Sequence, residues 1–224
     1  MINQAGVATQ LREISINGGE FAKIGTEEIG LIMTRDKTEE GKERIPILKE
    51  LVKRSRNGDT QAMEAIYDYF NRSLYNLVYR YTYNSEIAED LLQDIFLRVF
   101  TKLHTLKKEE TFVSWLYRVA INTCFTYLRT RKSHYHRTVS LNDMEERIGE
   151  ETFESGDKIM KTSLEDAIKN LPARQKTIFL LHDVQGFKHE EIAGMLGCSV
   201  GSSKSQLFKA RIKIREHLKN KQVY

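Results

Sequence analysis

The sequence predicts an all-α protein of two small helical domains joined by a flexible acidic linker, the second domain being a helix-turn-helix. Only two prolines and 13 glycines occur in 224 residues, and apolar residues recur at helical spacing from residue 47 onward. Acidic residues concentrate in one stretch between two basic ones. With 40% hydrophobic residues, a chain of this length can bury one medium core or two small ones.

Charge is distributed unevenly along the chain. The formal net charge of +4 is too small to indicate a nucleic-acid partner by itself. Residues 127–137 carry four basic side chains and no acid, and from residue 200 onward seven lysines or arginines accompany a single glutamate. Between them, residues 143–157 hold seven acids and one arginine. This pattern favours contact with a polyanion at two places separated by a spacer.

Cysteine usage and hydropathy exclude several classes of protein. Cys124 and Cys198 lack CxxC spacing, which indicates a reducing compartment and no metal cluster, and His134 and His136 lack partner ligands. No apolar run approaches ~18 residues, and the N-terminus has no apolar signal core. We therefore expect a cytoplasmic protein with no metal, no cofactor and no membrane insertion.

Residues 1–44 show weak periodicity and are predicted to be a loosely ordered extension, with Met33 as an alternative start. Residues 45–138 are predicted to form the first domain, beginning with a short apolar stripe around Leu51. Asp59 or Thr60 should cap a long helix, and Asn84 or Ser85 the next. The long helix should bury Ala62, Ile66, Tyr69, Phe70, Leu74, Leu77, Val78 and Tyr81, and the next helix Ile87, Leu91, Ile95, Val99 and Leu103.

The second of these helices also carries a polar face. Its members are Glu86, Asp90, Gln93 and Asp94, with Leu97 as an exposed apolar member. Acids, an amide and a leucine together suit a protein partner, although most polar faces are only solvated. Periodicity alone does not decide between these alternatives.

A polar loop over residues 104–110 should precede a helix capped by Thr111. That helix has two faces. The buried one comprises Phe112, Leu116, Val119, Ala120, Thr123, Tyr127 and Leu128, with Trp115 assignable to either face but favouring the core. The outer one comprises Arg118, Asn122, Phe125 and Arg129, ending near Arg131 and Lys132. Such a stripe can hydrogen-bond bases, neutralise phosphate and stack on a base.

Residues 139–160 are predicted to be the flexible acidic linker, and residues 161–224 the second domain. Residues 163–166 approximate a capping box, and Pro172 should occupy the first position of the next helix. Ile178, Phe179, Leu181 and Val184 should be buried in that helix, which Gly186 ends.

Residues 189–211 have the pattern of a helix-turn-helix. Ile192, Ala193 and Leu196 should face inward, Gly197 should provide the turn, and Ser199 should cap the second helix. The inward residues of this second helix are Leu207, Ala210 and Ile214, and its other positions are rich in lysine and arginine. A basic second helix is the one that enters the DNA major groove in this motif. The alternative is a helical hairpin with a solvated basic face.

Three motifs in order resemble the sigma-70 family of RNA polymerase sigma factors in its small extracytoplasmic-function (ECF) form. They are AEDLLQDIFLRVF at residues 88–100, FVSWLYRVAINT at residues 112–123, and LPARQ at residues 171–175 followed by the helix-turn-helix. The resemblance covers residues 47–218. It implies a first domain that binds the β′ clamp helices of core polymerase and reads the minus-ten element as single strand. It implies a second domain that binds the β flap and reads the minus-thirty-five element as duplex.

The resemblance also implies roles for individual residues. Asp90, Gln93, Asp94 and Leu97 would face the clamp helices. Arg118, Asn122, Phe125, Arg129, Arg131 and Lys132 would approach the minus-ten strand, with residues 104–111 holding an extruded base. Ser202, Lys204, Ser205, Gln206, Phe208, Lys209 and Arg211 would meet the minus-thirty-five groove. Many family members are held inactive by an anti-sigma protein, which makes one a further implied partner.

Two residues depart from the family pattern. Ser203 stands where a buried valine is usual, and Gln206 where arginine is commonest, which predicts a preference for adenine over guanine. A dimeric helix-turn-helix repressor is the competing interpretation, although no dimerisation face or ligand pocket is visible. We expect no enzymatic activity, because no Walker loop, HExxH, GxSxG or paired-carboxylate pattern occurs.

Overall fold

The computed structural model describes residues 40–137 and 156–221, with side chains for residues 46–131 and 162–221. These ranges form α-helices without any β-strand, which confirms the all-α prediction. The chain divides into two compact units, an N-terminal one ending at Leu128 and a C-terminal one starting at Arg129. The helices are α1 (Glu40–Arg56), α2 (Thr60–Thr82), α3 (Ser85–Lys102), α4 (Phe112–Arg137), α5 (Gly156–Lys169), α6 (Ala173–Phe179), α7 (His189–Leu196) and α8 (Val200–Asn220).

In the N-terminal unit, α1 and α3 both pack against α2. Two predicted caps are confirmed, because the Asp59 carboxylate accepts from the Ala62 N–H at 3.1 Å and the Asn84 side chain accepts from the Ile87 N–H at 2.9 Å. The predicted buried stripe of α2 is also confirmed except at Tyr69, which is half-buried. Local side-chain hydrogen bonds thus determine where the helices begin, and apolar spacing determines how they pack.

Helix α3 buries a wider face than the single predicted stripe. Besides Leu91, Ile95 and Val99, it buries Ala88, Leu92, Phe96 and Phe100, whereas Ile87 is only half-buried. Phe96 contributes to this wider face, because its ring lies 4.6 Å from the Tyr67 ring of α2 and 5.9 Å from the Phe100 ring one turn along α3. The exposed positions of α3 are all polar or charged.

The segment between α3 and α4 is more ordered than the predicted polar loop. Two short 3-10 turns, Leu103–Thr105 and Glu109–Thr111, flank Leu106, and both Leu103 and Leu106 are buried. Thr111 belongs to the second turn, and its hydroxyl donates to the Lys108 carbonyl oxygen at 2.7 Å. It therefore closes that turn instead of capping α4.

In the C-terminal unit, α8 packs against α5, α6 and α7. Helix α5 begins at Gly156, so Ser163 lies inside it and is buried, and the predicted capping box at residues 163–166 is wrong. Pro172 is the cap of α6 and not its first residue, and its carbonyl oxygen accepts from the Lys176 N–H at 2.9 Å.

A π-helical turn, Leu180–Val184, follows α6 and changes which residues face the core. The Gln185 N–H donates to the Leu180 carbonyl oxygen five residues back, which widens the turn by one residue. Leu180 and Leu181 are consequently buried, while Val184 is 43% exposed, so its predicted burial is wrong. Gly186, with φ of 71°, ends this segment as predicted.

Several expectations fall on residues outside the described ranges. These are residues 1–39 of the predicted extension, residues 139–155 of the predicted linker, and the side chains of His134 and His136. Both cysteines are free, and burial raises the pKa of the Cys124 thiol to about 12. Among the helices of the described ranges, none has the length and hydropathy needed to cross a bilayer.

Candidate nucleic-acid interface

The turn between α7 and α8 has the geometry that the sequence predicts for a helix-turn-helix. Gly197 is left-handed, with φ of 62° and ψ of 42°, and its N–H donates to the Ala193 carbonyl oxygen. The Ser199 hydroxyl accepts from the Ser202 N–H at 3.0 Å and caps α8. A non-glycine residue would be strained at this backbone conformation, so glycine chemistry and capping together determine where α8 starts.

The inner face of α8 combines apolar packing with one buried polar contact. Leu207, Ala210 and Ile214 are buried as predicted, while on α7 Met195 is buried and Leu196 is only half-buried. Ser203, in place of the usual valine, is fully buried, and its hydroxyl lies 2.9 Å from Nδ1 of His189. A hydrogen bond thus substitutes for apolar packing at this position.

The outer face of α8 presents the residues predicted to meet duplex DNA. Lys204, Ser205, Phe208, Lys209 and Arg211 are exposed, and Ser202 and Gln206 are half-buried. Phe208 is 66% exposed, which is unusual for a large apolar side chain. Charge, amide and exposed aromatic groups therefore share the surface of one helix.

Arg211 is engaged within the protein itself. Its Nε donates to Oδ2 of Asp183 at 2.9 Å, and its Nη2 donates to Oδ1 at 2.6 Å. His182 Nδ1 also donates to Oδ1 of Asp183 at 2.7 Å, and the His182 ring stacks on His189 at 4.5 Å between ring centroids. Partial burial acts to raise the pKa of Asp183, but the hydrogen bonds from Arg211 and His182 outweigh it and hold that pKa below its usual range. The sequence pattern did not indicate Asp183 as a partner of Arg211.

The outer stripe of α4 is exposed at Arg118, Asn122, Arg129 and Arg131, and the Lys132 side chain lies outside the described ones. Phe125 is half-buried and not free, because its ring meets Tyr81 edge-on at 5.8 Å.

Two further aromatic side chains of α4, Trp115 and Tyr117, are partly or fully buried. Trp115 is half-buried, 6.2 Å from the Phe112 ring. Tyr117 is buried, and its hydroxyl donates to Ser73 at 3.0 Å. Few aromatic faces on α4 are thus available to a ligand.

The segment before α4 is held in place by α1. Arg56 pairs with Glu109 at 2.9 Å and donates to the Leu106 carbonyl oxygen at 3.0 Å, and Lys49 pairs with Glu110 at 2.6 Å. The hydrogen bond from Lys49 holds the pKa of the Glu110 carboxyl below its usual range. The sequence predicts a polar loop for this segment and does not indicate that α1 anchors it.

The polar face of α3 exposes Asp90, Gln93 and Asp94, as predicted. Leu97 is half-buried, so the expectation of an exposed leucine there is wrong. An open groove of about 470 Å³ lies beside this helix, lined by Tyr67, Asn71, Arg72, Tyr75, Glu89 and Leu92.

The second helix of the motif is basic, has a side-chain cap at its start and follows a glycine turn. These features place the chain among helix-turn-helix DNA-binding proteins. Comparison with known proteins gives the family. The model of Sigma-70 region 2 matches residues 66–134, and that of Sigma-70, region 4, matches residues 161–214. The chain belongs to the sigma-70 family and is an ECF sigma factor, a transcription initiation factor that directs RNA polymerase.

Relatives of similar sequence agree with this assignment. The chain is 27% identical over 172 residues to RNA polymerase sigma-H factor of Pseudomonas aeruginosa, covering 73% of this chain and 89% of that protein. It is 28% identical over 175 residues to ECF RNA polymerase sigma-E factor of Escherichia coli K12, covering 72% and 88%.

The fold resembles that of sigma factor RpoE from Bartonella quintana, solved with the anti-sigma factor NepR. The TM-score is 0.57 at 24% identity, with 66% of this chain and 91% of that chain covered. CnrH, solved with the cytosolic domain of CnrY, gives a TM-score of 0.59 at 17% identity, with 77% and 97% covered.

Proposed function

We propose that this sigma factor reads the minus-thirty-five element as duplex with α8 and the minus-ten element as melted strand with α4. The two activities would belong to residues 161–224 and residues 45–138, joined by a linker that ends before α5 begins at Gly156. The observation that carries the proposal is the division of α8 into buried positions at Ser203 and Leu207 and outer positions at Lys204 and Phe208, which are exposed, and Gln206, which is half-buried.

Three kinds of side chain on the outer surface of α8 match three features of duplex DNA. Lys204 suits a phosphate, the Gln206 amide suits an adenine edge, and Phe208 suits a thymine methyl group. Replacing Gln206 with alanine should cost about 1–3 kcal/mol at one base pair only. An equal loss of transcription across every variant of the minus-thirty-five element would show that Gln206 is no base reader.

Capture of the minus-ten strand is proposed for α4 and residues 104–111. Unstacking costs about 1.4 kcal/mol per step, whereas stacking one base on an aromatic side chain returns about 1–3 kcal/mol. With Tyr117 buried and Phe125 half-buried, this surface can hold one or two extruded bases and no long melted run. Asn122 and the anchored 104–111 segment are the proposed pocket walls, since a base edge needs both donor and acceptor.

A mismatch scan tests this pocket. We expect a mismatch at one minus-ten position to strengthen holoenzyme binding far more than mismatches elsewhere, and Asn122→Ala to remove most of that advantage. Asn76→Ala removes another exposed asparagine, on α2, and should leave the profile unchanged. A flat profile in the unmodified protein, or no change in Asn122→Ala, would contradict the proposal.

The exposed acids of α3 are proposed to bind the β′ clamp helices, and the C-terminal unit to bind the β flap. Asp90 and Asp94 lie outside the core, so reversing their charge should spare folding. An anti-sigma protein is a proposed further partner, because the similar RpoE was solved with one.

The decisive experiment is assembly of tagged chain with core polymerase. The double variant Asp90→Lys/Asp94→Lys should lose assembly while its circular dichroism melt stays close to that of the unmodified protein. Glu50→Lys/Glu64→Lys is the matched control, because it makes the same charge change at exposed positions of α1 and α2. Retained assembly in the α3 variant would refute the assignment of this face.

A further inference from the structure

We propose that Asp183 is a positioning residue that holds the Arg211 guanidinium away from DNA phosphates and so limits sequence-independent duplex binding by α8. The inference rests on the proposed duplex-binding function of α8. It assigns Arg211 to the internal framework of the domain, and leaves phosphate contact to exposed lysines such as Lys204 and Lys209.

The contact with Asp183 occupies the edge of the Arg211 guanidinium that would otherwise bind a phosphate. Nε and Nη2 of Arg211 lie 2.9 and 2.6 Å from the two carboxylate oxygens of Asp183. Bidentate binding of phosphate by arginine requires two parallel N–H groups of the same planar fork. The Asp183 carboxylate therefore competes directly with a phosphate for that edge of the guanidinium.

The carboxylate is itself held from a second side. Oδ1 of Asp183 also accepts from His182, whose ring stacks on His189, and His189 contacts the buried Ser203 of α8 at 2.9 Å. The Asp183 side chain is 20% exposed, in contrast to 52% for Arg211. An isolated surface ion pair contributes little, but bidentate geometry with further hydrogen bonds is the case in which such a pair persists.

A second ion pair on the C-terminal unit, between Lys221 and Asp166, lacks the bidentate geometry of the Arg211–Asp183 pair. Lys221 meets Asp166 through one contact of 2.6 Å, and both side chains are nearly half exposed. Lys221 follows the last residue of α8, whereas Arg211 lies one turn beyond Phe208 and Leu207. The two aspartates therefore offer matched sites for the same neutral substitution, one beside the proposed DNA surface and one at the far end of the helix.

The test uses the full chain and a short fluorescein-labelled duplex of mixed sequence, with anisotropy measured across about 50 to 200 mM salt. Asp183→Asn should bind more tightly and steepen the slope of log K against log salt by about 0.9, the value for one additional phosphate contact. The ratio of its binding constant to that of the unmodified chain should accordingly fall about 3.5-fold across that salt range. Arg211→Gln alone should leave the slope unchanged, and Asp183→Asn/Arg211→Gln should abolish the gain.

Asp166→Asn is the control for loss of a negative charge, and it should leave the slope unchanged. An equal gain in Asp166→Asn would overturn the inference, as would weaker or unaltered binding by Asp183→Asn. A slope reduced by about one in Arg211→Gln would also overturn it, since Arg211 would then already contact phosphate. If neither the unmodified chain nor any variant bound duplex, the proposed function of α8 would fail together with this inference. Circular dichroism melts confirm that each variant is folded.

Discussion

The two helices proposed to read DNA, α4 and α8, differ in how far their exposed residues also serve the core. On α4, Phe125 packs edge-on against Tyr81, so an outward aromatic is also part of the N-terminal core. On α8, Phe208 is 66% exposed and is left to solvent. Stability and recognition are therefore coupled on α4 and separable on α8.

The means of positioning the two helices differ as well. Helix α4 is placed by large apolar contacts, such as Phe112 against Phe70 at 5.9 Å. Helix α8 relies on the Ser199 cap and the His189–Ser203 contact in addition to its aliphatic residues. Aromatic packing dominates a core energetically, whereas hydrogen bonds and caps contribute about 1 kcal/mol each.

The largest expected effect is on the core of the N-terminal unit. Phe112 is fully buried, so Phe112→Ala should lower the free energy of unfolding by about 3–5 kcal/mol. Urea unfolding followed by circular dichroism and by the single tryptophan, Trp115, measures it as a lower midpoint. Leu207→Ala in the C-terminal unit should cost about 2–5 kcal/mol without moving the tryptophan transition. A tryptophan midpoint that moved with Leu207→Ala would show that the units unfold together.

The two aromatic residues on the outer faces should separate stability from recognition. Phe125→Ala should lower stability by at least about 1 kcal/mol through loss of its contact with Tyr81. Phe208→Ala should change stability by no more than about 0.5 kcal/mol yet weaken duplex binding. Replacing thymine by uracil in the minus-thirty-five element should weaken binding of the unmodified protein and leave Phe208→Ala unaffected. Equal sensitivity of both proteins to uracil would refute contact with a thymine methyl.

Helix caps give a smaller, matched comparison. Asn84→Ala and Ser199→Ala each remove one cap and should each cost about 1 kcal/mol, measured by denaturant midpoint. Ser199→Ala should also weaken duplex binding, because the first turn of α8 then frays. Asn84→Ala should leave duplex binding intact, and a comparable binding loss in both variants would remove the special role of the Ser199 cap.

The smallest expected effect is a pH dependence from His189. Burial, together with the charges of His182 and Lys204, lowers the pKa of His189 from its ordinary value of 6.5. The unfolded chain then binds the proton more readily, so this group's contribution to stability falls as pH drops below about 6.5. Thermal unfolding at several pH values should show that stability declines less with falling pH in His189→Asn than in the unmodified protein. Identical pH profiles for the two proteins would rule out this contribution.

Features that depend on neighbours within one helical turn are predictable from the amino-acid sequence alone. Asp59, Asn84 and Ser199 cap their helices through N–H groups three residues ahead, and Gly197 accepts a conformation that side chains resist. The buried stripe of α2 is likewise predictable, because helical periodicity alone decides which residues share a face.

Features that the sequence does not predict come mainly from the packing of helices that lie far apart in the chain. The π-helical turn after α6 is local, but the apolar spacing does not signal it, and it places Val184 outward although that spacing favours burial. Arg211 reaches Asp183 across 28 residues, and Arg56 reaches Leu106 across 50. A hydrogen bond or an ion pair needs both atoms within a few ångströms, and only the packed helices bring such groups together. Exposure and charge therefore identified which residues could meet DNA, and packing determined which of them are already engaged.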